Sequence, residues 1–296
     1  MSLIERAALL LPRSLPHRAE ADAFAEATDD LPAAGRGPRR AERQHLALGP
    51  VLTIDSRVLA AQSLLVPGTP ANQLEGEFRI IKRPLILNAT GARGRKIANG
   101  RRVMVTSSLP GEGKTFCAIN LALSMAAERD LGVLLIDADV ARPAVHSRLG
   151  LPEAAGLMDA LFDPDLDPAT LVHPTNIPGL SIMLAGTRHN RATELLASAD
   201  MKRLVHSLAS RFSDCMLVFD APPLLATTES RVMASHVGQV VLVVERGRTP
   251  RAAVRSSLAA LENCDPAISL LLNKAPPRGR RATARYGSYS TDYGYG

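Results

Sequence analysis

The sequence predicts an α/β protein: a doubly wound, mostly parallel sheet with helices on both faces. Short apolar runs of strand length alternate with helical patterns between residues 101 and 275. These runs are continuous in Val, Ile and Leu, which is typical of strands covered on both faces. A Gly-rich turn joins the first run to the first helix, as in a phosphate-binding loop. At 296 residues, 46% of them hydrophobic, the chain can form one such domain with additional segments.

The predicted elements follow in order along the chain. A short helix is expected within 54–65, and an amphipathic helix from residue 72 that Pro84 interrupts. The expected strands are RVMVTS, VLLIDAD, SIML, CMLVFDAP, QVVLVVE and ISLLLN. Helices are expected at 114–128, 143–149, 193–212, 227–236 and 250–261.

Composition divides the chain into four parts. Residues 1–49 predict a short helix followed by a disordered linker, because they are rich in Pro, Ala, Gly and charges without periodicity. Residues 50–100 predict a helical lead-in and oligomerisation segment, and 101–275 the P-loop domain. Residues 276–296 have no core-forming pattern and predict a flexible tail.

Charge and cysteine content limit the function classes. The net charge is +6, and basic residues gather at 246–255 and 274–285, which suits nucleic acid, anionic lipid, acidic ligands or simply a solvated face. Aromatic residues make up only 3%, which argues against a nucleic-acid binder that stacks bases, so no nucleic-acid partner is expected. Three scattered cysteines without a CxxC pair favour reduced thiols over disulfides or a zinc site.

The location follows from the apolar runs. No run reaches the 18 or more residues typical of a spanning helix, and Glu5 and Arg6 interrupt the apolar start. We therefore expect a cytoplasmic protein; if it works at the inner face of the plasma membrane, a partner must recruit it there.

The segment SSLPGEGKT predicts nucleotide binding. Its glycines let successive backbone N–H groups point at a phosphate, Lys114 adds a positive charge near the β- and γ-phosphates, and Thr115 offers a hydroxyl to Mg²⁺. The full pattern GxxxxGK[ST] begins with glycine, whereas this loop begins with Ser108. The expected nucleotide-binding residues here are Pro110, Gly111, Glu112, Gly113, Lys114, Thr115 and Phe116.

Carboxylates follow two of the predicted strands. Asp137 and Asp139 are two residues apart, so in an extended chain both point to one side and can share one Mg²⁺ and one hydroxyl nucleophile. Asp220 ends CMLVFDAPP in the Walker B position, where a carboxylate reaches Mg²⁺ directly or through water. Single acids at strand ends also serve as helix N-caps, but three converging on a P-loop favour phosphoryl transfer. Thr115, Asp137 and Asp220 are the expected metal ligands, and the base and metal roles of Asp137 and Asp139 stay open.

The tyrosines have an unusual distribution. The chain has four, Tyr286, Tyr289, Tyr293 and Tyr295, and all of them lie close to its carboxyl terminus.

Together these motifs resemble the bacterial tyrosine autokinases that regulate export of capsular and extracellular polysaccharides. SSLPGEGKT resembles their Walker A loop, VLLIDADVARP their Walker A′ motif and LVFDAPP their Walker B motif. ATELLAS at 192–198, LLLN ending in Asn273 and the tyrosine cluster also fit. SLIERA, EFRIIKRP and DADVARP look most like the branch associated with exosortase (XrtA)-type export systems.

The resemblance implies a mechanism and partners. It implies that ATP and Mg²⁺ are used, and that the tail tyrosines of one subunit are phosphorylated in a neighbour's site within a ring-like homo-oligomer. It adds Arg142 to the catalytic residues Lys114, Asp137, Asp139 and Asp220, and Asn273 to the nucleotide-binding residues. It also implies a membrane-embedded polysaccharide co-polymerase as activator and sugar-nucleotide enzymes as substrates.

Three positions depart from the family pattern. The arginine of DxDxR falls at Ala141, with Arg142 one residue later. The ring-forming ExxRxxR pattern falls at Gly76, Arg79 and Lys82, with Glu75 and Glu77 flanking the first position. The tail tyrosines are spaced rather than in a dense run.

Two other functions remain as alternatives. A ParA/MinD-like ATPase would act as a dimerisation switch or positioning factor, but its signature lysine would fall at Leu109. A catalytically weak nucleotide-dependent scaffold of an export complex is the other.

Overall fold

A computed structural model describes residues 48–70, 72–91, 96–189 and 192–276. The predictions for the first helix, for almost all of the linker and for the tail with its four tyrosines lie outside these residues.

The described chain forms a seven-stranded sheet, which confirms the predicted fold class. Its order is β3-β4-β2-β5-β1-β6-β7, and every neighbouring pair is parallel except the antiparallel β3 and β4. The strands are β1 Arg102–Ser107, β2 Gly132–Asp137, β3 His173–Pro174, β4 Leu180–Met183, β5 Cys215–Asp220, β6 Gln239–Glu245 and β7 Ala267–Asn273.

The helices that cover the sheet are α1 Ser56–Ala61, α2 Gln73–Thr90, α3 Lys114–Ala126, α4 Val145–Leu149, α5 Leu157–Phe162, α6 Ala192–Leu196, α7 Ala199–Arg211, α8 Glu229–Ala234 and α9 Arg251–Ala260. A 3₁₀ turn spans Pro168–Leu171. The predicted helix over 193–212 is two helices, because Ser198 caps α7 by accepting from the N–H groups of Asp200 and Met201.

Two apolar clusters lie on opposite faces of the sheet. One cluster contains α2, α3 and alternate residues of β1 and β6, such as Val105 and Val243. The other contains α7, α8 and the remaining residues of the same two strands, such as Met104 and Leu242. Because both faces of the sheet are covered, residues on both sides of each central strand are apolar, and the strand sequences are continuous apolar runs.

The edge strand β7 departs from that pattern. Ile268, Leu270 and Leu272 on one of its faces are 37%, 50% and 59% exposed. An apolar run therefore predicted the strand but not its half-exposed position at the edge.

Pro84 does not interrupt its helix, contrary to the prediction. Helix α2 continues to Thr90 because its apolar face does, with Phe78, Leu85 and Ala89 all buried against the α3 side of the sheet. The carbonyl that the proline leaves unpaired belongs to Ile80, whose residue is 76% exposed, so water can satisfy it.

The side chain of Gln239 holds α2 against the start of β6. Its amide nitrogen donates to the carbonyls of Leu85 at 2.9 Å and Gly100 at 2.6 Å, and its oxygen accepts from Asn88 at 2.9 Å. This fully buried side chain thus has both its donor and acceptor atoms paired, which fixes the lead-in helix on the sheet.

Candidate active site

The carboxyl ends of the three central strands place the predicted catalytic groups together. The loop after β1 leads into α3, Asp137 ends β2, and Asp220 ends β5. Asp137 and Asp220 are direct partners in the β2–β5 register. This edge is where parallel α/β sheets bind their ligands.

Lys114 lies at the centre of the site. Its Nζ is 2.7 Å from Oδ2 of Asp139 and 3.4 Å from Oδ1 of Asp220, and its side chain is 11% exposed. Burial by itself lowers the pKa of Lys114, but the charges of Asp220 and Asp139 outweigh it and leave that pKa raised. The ammonium group is therefore held charged between two carboxylates.

Asp137 and Asp139 have different partners. Strand β2 ends at Asp137, so the extended geometry predicted through Asp139 stops two residues early. Oδ2 of Asp137 accepts from the N–H groups of Ala144 at 3.1 Å and Val145 at 3.0 Å, whereas Oδ1 of Asp139 accepts from the N–H of Arg142 at 3.2 Å.

The surroundings of the buried Asp137 and Asp220 carboxyls favour their protonated forms. Burial, and then the charge of Asp220, raise the pKa of Asp137 to about 7. Burial also raises the pKa of Asp220, against the opposing effects of Lys114 and of the hydrogen bond from Thr115. Oδ1 of Asp137 and Oδ2 of Asp220 are buried without a hydrogen-bond partner among the described residues.

These unpaired oxygens fit a divalent cation. Mg²⁺ usually takes one or two carboxylates together with phosphate oxygens and water, so Asp137, Asp220 and the Thr115 hydroxyl would hold it. Across the described ranges, no three His, Cys, Asp or Glu side chains are grouped to hold a metal on their own.

Residues at the carboxyl end of β7 contact the backbone of the P-loop. Gly111 and Gly113 have φ angles of +84° and +94°, which only glycine adopts readily. The Asn273 amide donates to the Glu112 carbonyl at 2.9 Å, and Lys274 donates to the Gly111 carbonyl at 3.0 Å. Asn273 thus contacts the loop backbone, which places it beside the predicted nucleotide site.

Glu112 and Ser108 organise the loop from inside. The buried Glu112 carboxylate accepts from the Leu109 N–H at 2.8 Å and from the Thr249 hydroxyl. The Ser257 hydroxyl donates to that of Ser108 at 2.9 Å. Serine at the first loop position is therefore accommodated by a buried hydroxyl pair.

The sequence did not indicate Thr249, Ser257 or Lys274 as site residues. The only signal was the deviation at Ser108, a polar side chain where the pattern has glycine.

The remaining predicted residues are spread around the loop. Pro110 is exposed on it, and Phe116 is half-buried against the α2–α3 apolar cluster. Arg142 is exposed, and its backbone N–H contacts Asp139.

The predicted ring-forming pattern has partners within its own chain. Arg79 pairs with Glu75 at 2.7 Å. Lys82 is 7% exposed, donates to the Ser124 carbonyl at 2.5 Å and pairs with Glu128 at 2.8 Å. Lys82 therefore joins α2 to α3 instead of projecting toward a neighbouring subunit.

Comparison with known proteins gives several relatives that are named tyrosine-protein kinases. The tyrosine-protein kinase YwqD of Bacillus subtilis is 33% identical over 193 residues, which cover 64% of this chain and 78% of YwqD. The succinoglycan biosynthesis transport protein ExoP of Rhizobium meliloti is 28% identical over 75% of this chain and 28% of its own length. Among solved structures, the VpsO kinase domain is 30% identical with a TM-score of 0.57, over 68% of this chain and 96% of that domain.

Other relatives are much longer than this chain. The chain spans about a quarter of the length of EpsB of Ralstonia nicotianae, 26%. No protein-family model matches the chain. None of the helices in the described ranges has the length and apolar character needed to cross a bilayer.

Proposed function

This chain belongs to the bacterial tyrosine-protein kinases, and from that premise we propose that it phosphorylates its own tail tyrosines in trans, using ATP and Mg²⁺. The observation that carries the proposal is the pairing of the P-loop lysine, Lys114, with Asp139 and Asp220 at the end of the sheet. Tyr286, Tyr289, Tyr293 and Tyr295 are the proposed acceptors, because no other tyrosine occurs in the chain.

The nucleotide is proposed to bind along the P-loop. Backbone N–H groups of Gly111 to Thr115 and the positive end of α3 face the phosphates, and Lys114 neutralises the β- and γ-oxygens. Phosphate oxygens then compete with Asp139 for Lys114. Mg²⁺ would be held by Thr115, Asp137 and Asp220, where its charge would stabilise the ADP leaving group.

Asp139 is the proposed proton acceptor. The tyrosine oxygen forms a bond to the γ-phosphorus while the bond from phosphorus to the ADP oxygen breaks, and the phenolic proton passes to the carboxylate. Asp137 is instead assigned to Mg²⁺, because its Oδ1, like Oδ2 of Asp220, has no hydrogen-bond partner among the described residues. Asp139 instead lies past the end of β2, beside Lys114.

Transfer in trans needs a test of its own, because the tail leaves the domain beside its own site. Lys274 contacts the P-loop, and Tyr286 follows it only a short distance along the sequence. A Lys114→Met chain with intact tyrosines is mixed with a chain carrying Tyr→Phe at all four positions and an intact site. Phosphate on the Lys114→Met tail supports transfer in trans. The proposal is overturned if the wild-type chain becomes phosphorylated but the Lys114→Met tail in the mixture stays unmodified.

The polysaccharide role and the partners are finer parts of the proposal. ExoP is named for succinoglycan biosynthesis and transport, which supports regulation of exopolysaccharide polymerisation or export. The longer relatives contain further polypeptide beyond the region shared with this chain. We propose that a membrane-embedded co-polymerase activates this kinase through a cytoplasmic segment and recruits it to the membrane.

The proposal has four further parts. They are membership of the XrtA-associated branch, a ring-like homo-oligomer, sugar-nucleotide enzymes as substrates and a role for Arg142. Adding the cytoplasmic segment of such a co-polymerase should raise the phosphorylation rate. The ParA/MinD-like alternative is less supported, because the relatives at 30% identity or more are named kinases.

A further inference from the structure

A basic cavity lies at the edge of the sheet opposite the P-loop, beside the amino-terminal end of β1. Its volume is about 390 Å³, within the range of sites for small molecules. The lining residues, which we call the basic pocket, are Asn99, Arg102, Lys202, Arg203, His206, Ser207, Ser235 and His236. Five of the eight carry basic side chains and none is acidic.

A second cavity of about 200 Å³ adjoins the basic pocket and shares Asn99 and Arg102 with it. It adds Lys96 and Arg101 to the lining. Positive charge therefore extends beyond the basic pocket along the same edge of the sheet.

Two groups inside the basic pocket are fixed by the fold. Nη1 of Arg102 donates to the His236 carbonyl at 3.3 Å, which orients the guanidinium group. Nε2 of His236 is buried and has no hydrogen-bond partner within the described part of the chain. The half-buried imidazole of His236 therefore lines the pocket with one nitrogen that no other described residue engages.

The two charges that shift the pKa of His236 are both positive. Burial, followed by the charges of Lys202 on α7 and Arg102 on β1, lowers the pKa of His236. His206 on α7 also lines the pocket, and the Ser235 hydroxyl lies 3.4 Å from Nδ1 of His236. Arg203 pairs with Asp200 on its own helix, so one of the cations is already neutralised.

We propose that the basic pocket binds a phosphate monoester. A dianion placed there would pair with Arg102 and Lys202 and would accept a hydrogen bond from a protonated His236. Nothing in the kinase reaction uses these residues, since the P-loop, Asp139 and Asp220 lie at the other end of the strands.

The same ligand chemistry has two sources. One is a free phosphate compound, and this source is independent of the kinase activity. The other is a phosphotyrosine of the tail, and this source rests on the proposed function. In both cases the pocket would add a second phosphate-binding site to the kinase.

The test follows the imidazole signals of His236 by NMR in the whole chain, with Mg·ADP filling the P-loop. The His236→Gln variant identifies the signal by its loss. One arm titrates inorganic phosphate and the other titrates O-phosphotyrosine amide. We expect either ligand to shift the signal and to raise the pKa of His236, because the anion stabilises the imidazolium form.

A test variant and a control variant distinguish binding in the basic pocket from attraction to basic residues elsewhere on the chain. Lys202→Gln combined with Arg102→Gln should weaken binding by about tenfold or more, since it removes the two cations that are proposed to pair with the ligand. Arg129→Gln, an exposed arginine outside the pocket, should leave binding unchanged. An unmoved His236 signal in both arms, or wild-type affinity in the double variant, would overturn the proposal.

The two arms also identify the source. Tighter binding of phosphotyrosine amide supports the tail as the ligand, and equal or tighter binding of inorganic phosphate supports a free compound. Failure of the kinase proposal would leave the inorganic arm intact, so the two failures are distinguishable.

Discussion

Nζ of Lys114 lies 2.7 Å from Oδ2 of Asp139, at the carboxyl end of the sheet. The contact joins the start of α3, directly after the P-loop turn, to the segment that follows β2. Under the proposed mechanism, phosphate and Asp139 share one lysine, and Asp139 lies beside the reacting group.

Asp139→Asn should separate nucleotide binding from transfer. Removing the carboxylate frees Lys114 for phosphate, so ATP should bind as tightly as to the wild type or more tightly. Tyrosine phosphorylation should fall by about 10²- to 10⁴-fold, the usual contribution of a positioned proton acceptor. Single-turnover kinetics and ATP titration measure the two effects. Asp200→Asn, which removes an exposed carboxylate, is the control, and near-normal transfer by Asp139→Asn would exclude Asp139 as the acceptor.

Asp137→Asn should stabilise the Mg²⁺-free protein at pH 8. The pKa of Asp137 is raised from its ordinary 3.8 to about 7, so the folded state favours the protonated form and loses stability as the pH rises toward 7. The neutral amide avoids this cost and its oxygen can still accept from the N–H groups of Ala144 and Val145.

The expected gain at pH 8 is a few kcal/mol, which corresponds to a rise of several degrees in Tm for a domain of this size. The difference between the two proteins should shrink as the pH falls below the folded pKa, because the wild-type carboxyl is then protonated. Thermal unfolding at pH 8 and pH 5 measures it. A variant that is less stable than wild type at pH 8 would contradict the proposed charge imbalance.

Gly113→Ala should damage the P-loop beyond the cost of its backbone angle. At φ +94° any side chain is strained, and a Cβ here would also overlap the Asn273 amide that donates to Glu112. Gly247→Ala is the matched control, because Gly247 has φ +76° while no atom of the described residues lies within 4 Å of the place its Cβ would take.

Both glycine variants should lose about 1 kcal/mol of stability to backbone strain. Only Gly113→Ala should weaken ATP binding, by about tenfold or more. Chemical denaturation and ATP titration measure the two quantities. Equal ATP affinity in the two variants would show that Asn273 does not shape the loop.

The fold was predictable because its signals are local. Strand-length apolar runs, the glycines of SSLPGEGKT and the acids after β2 and β5 each lie within a short stretch of sequence. The support of the loop is not local, since Thr249 and Ser257 reach Glu112 and Ser108 from a distant part of the chain. Pro84 was misinterpreted because its local effect opposes the helix, whereas burial of Leu85 and Ala89 decides the outcome.

Lys82→Met should destabilise the fold without depending on oligomerisation. It removes the ion pair with Glu128 and leaves the Ser124 carbonyl without its donor, at a cost of about 1–2 kcal/mol. Arg79→Met, which breaks an exposed pair on the same helix, should cost about 0.5 kcal/mol or less. Urea unfolding at two protein concentrations tests this. A loss confined to the assembled state would instead place Lys82 at a subunit interface.

Phosphate mapping on the full chain tests the central claim most directly. The protein is incubated with Mg·ATP, with and without the cytoplasmic segment of a candidate co-polymerase, and its peptides are analysed by mass spectrometry. We predict phosphate on one or more of the four tail tyrosines, absent in Lys114→Met and retained in Arg129→Met, which removes an exposed cation away from the site. ATP hydrolysis with all four tyrosines unmodified under both conditions would contradict the account.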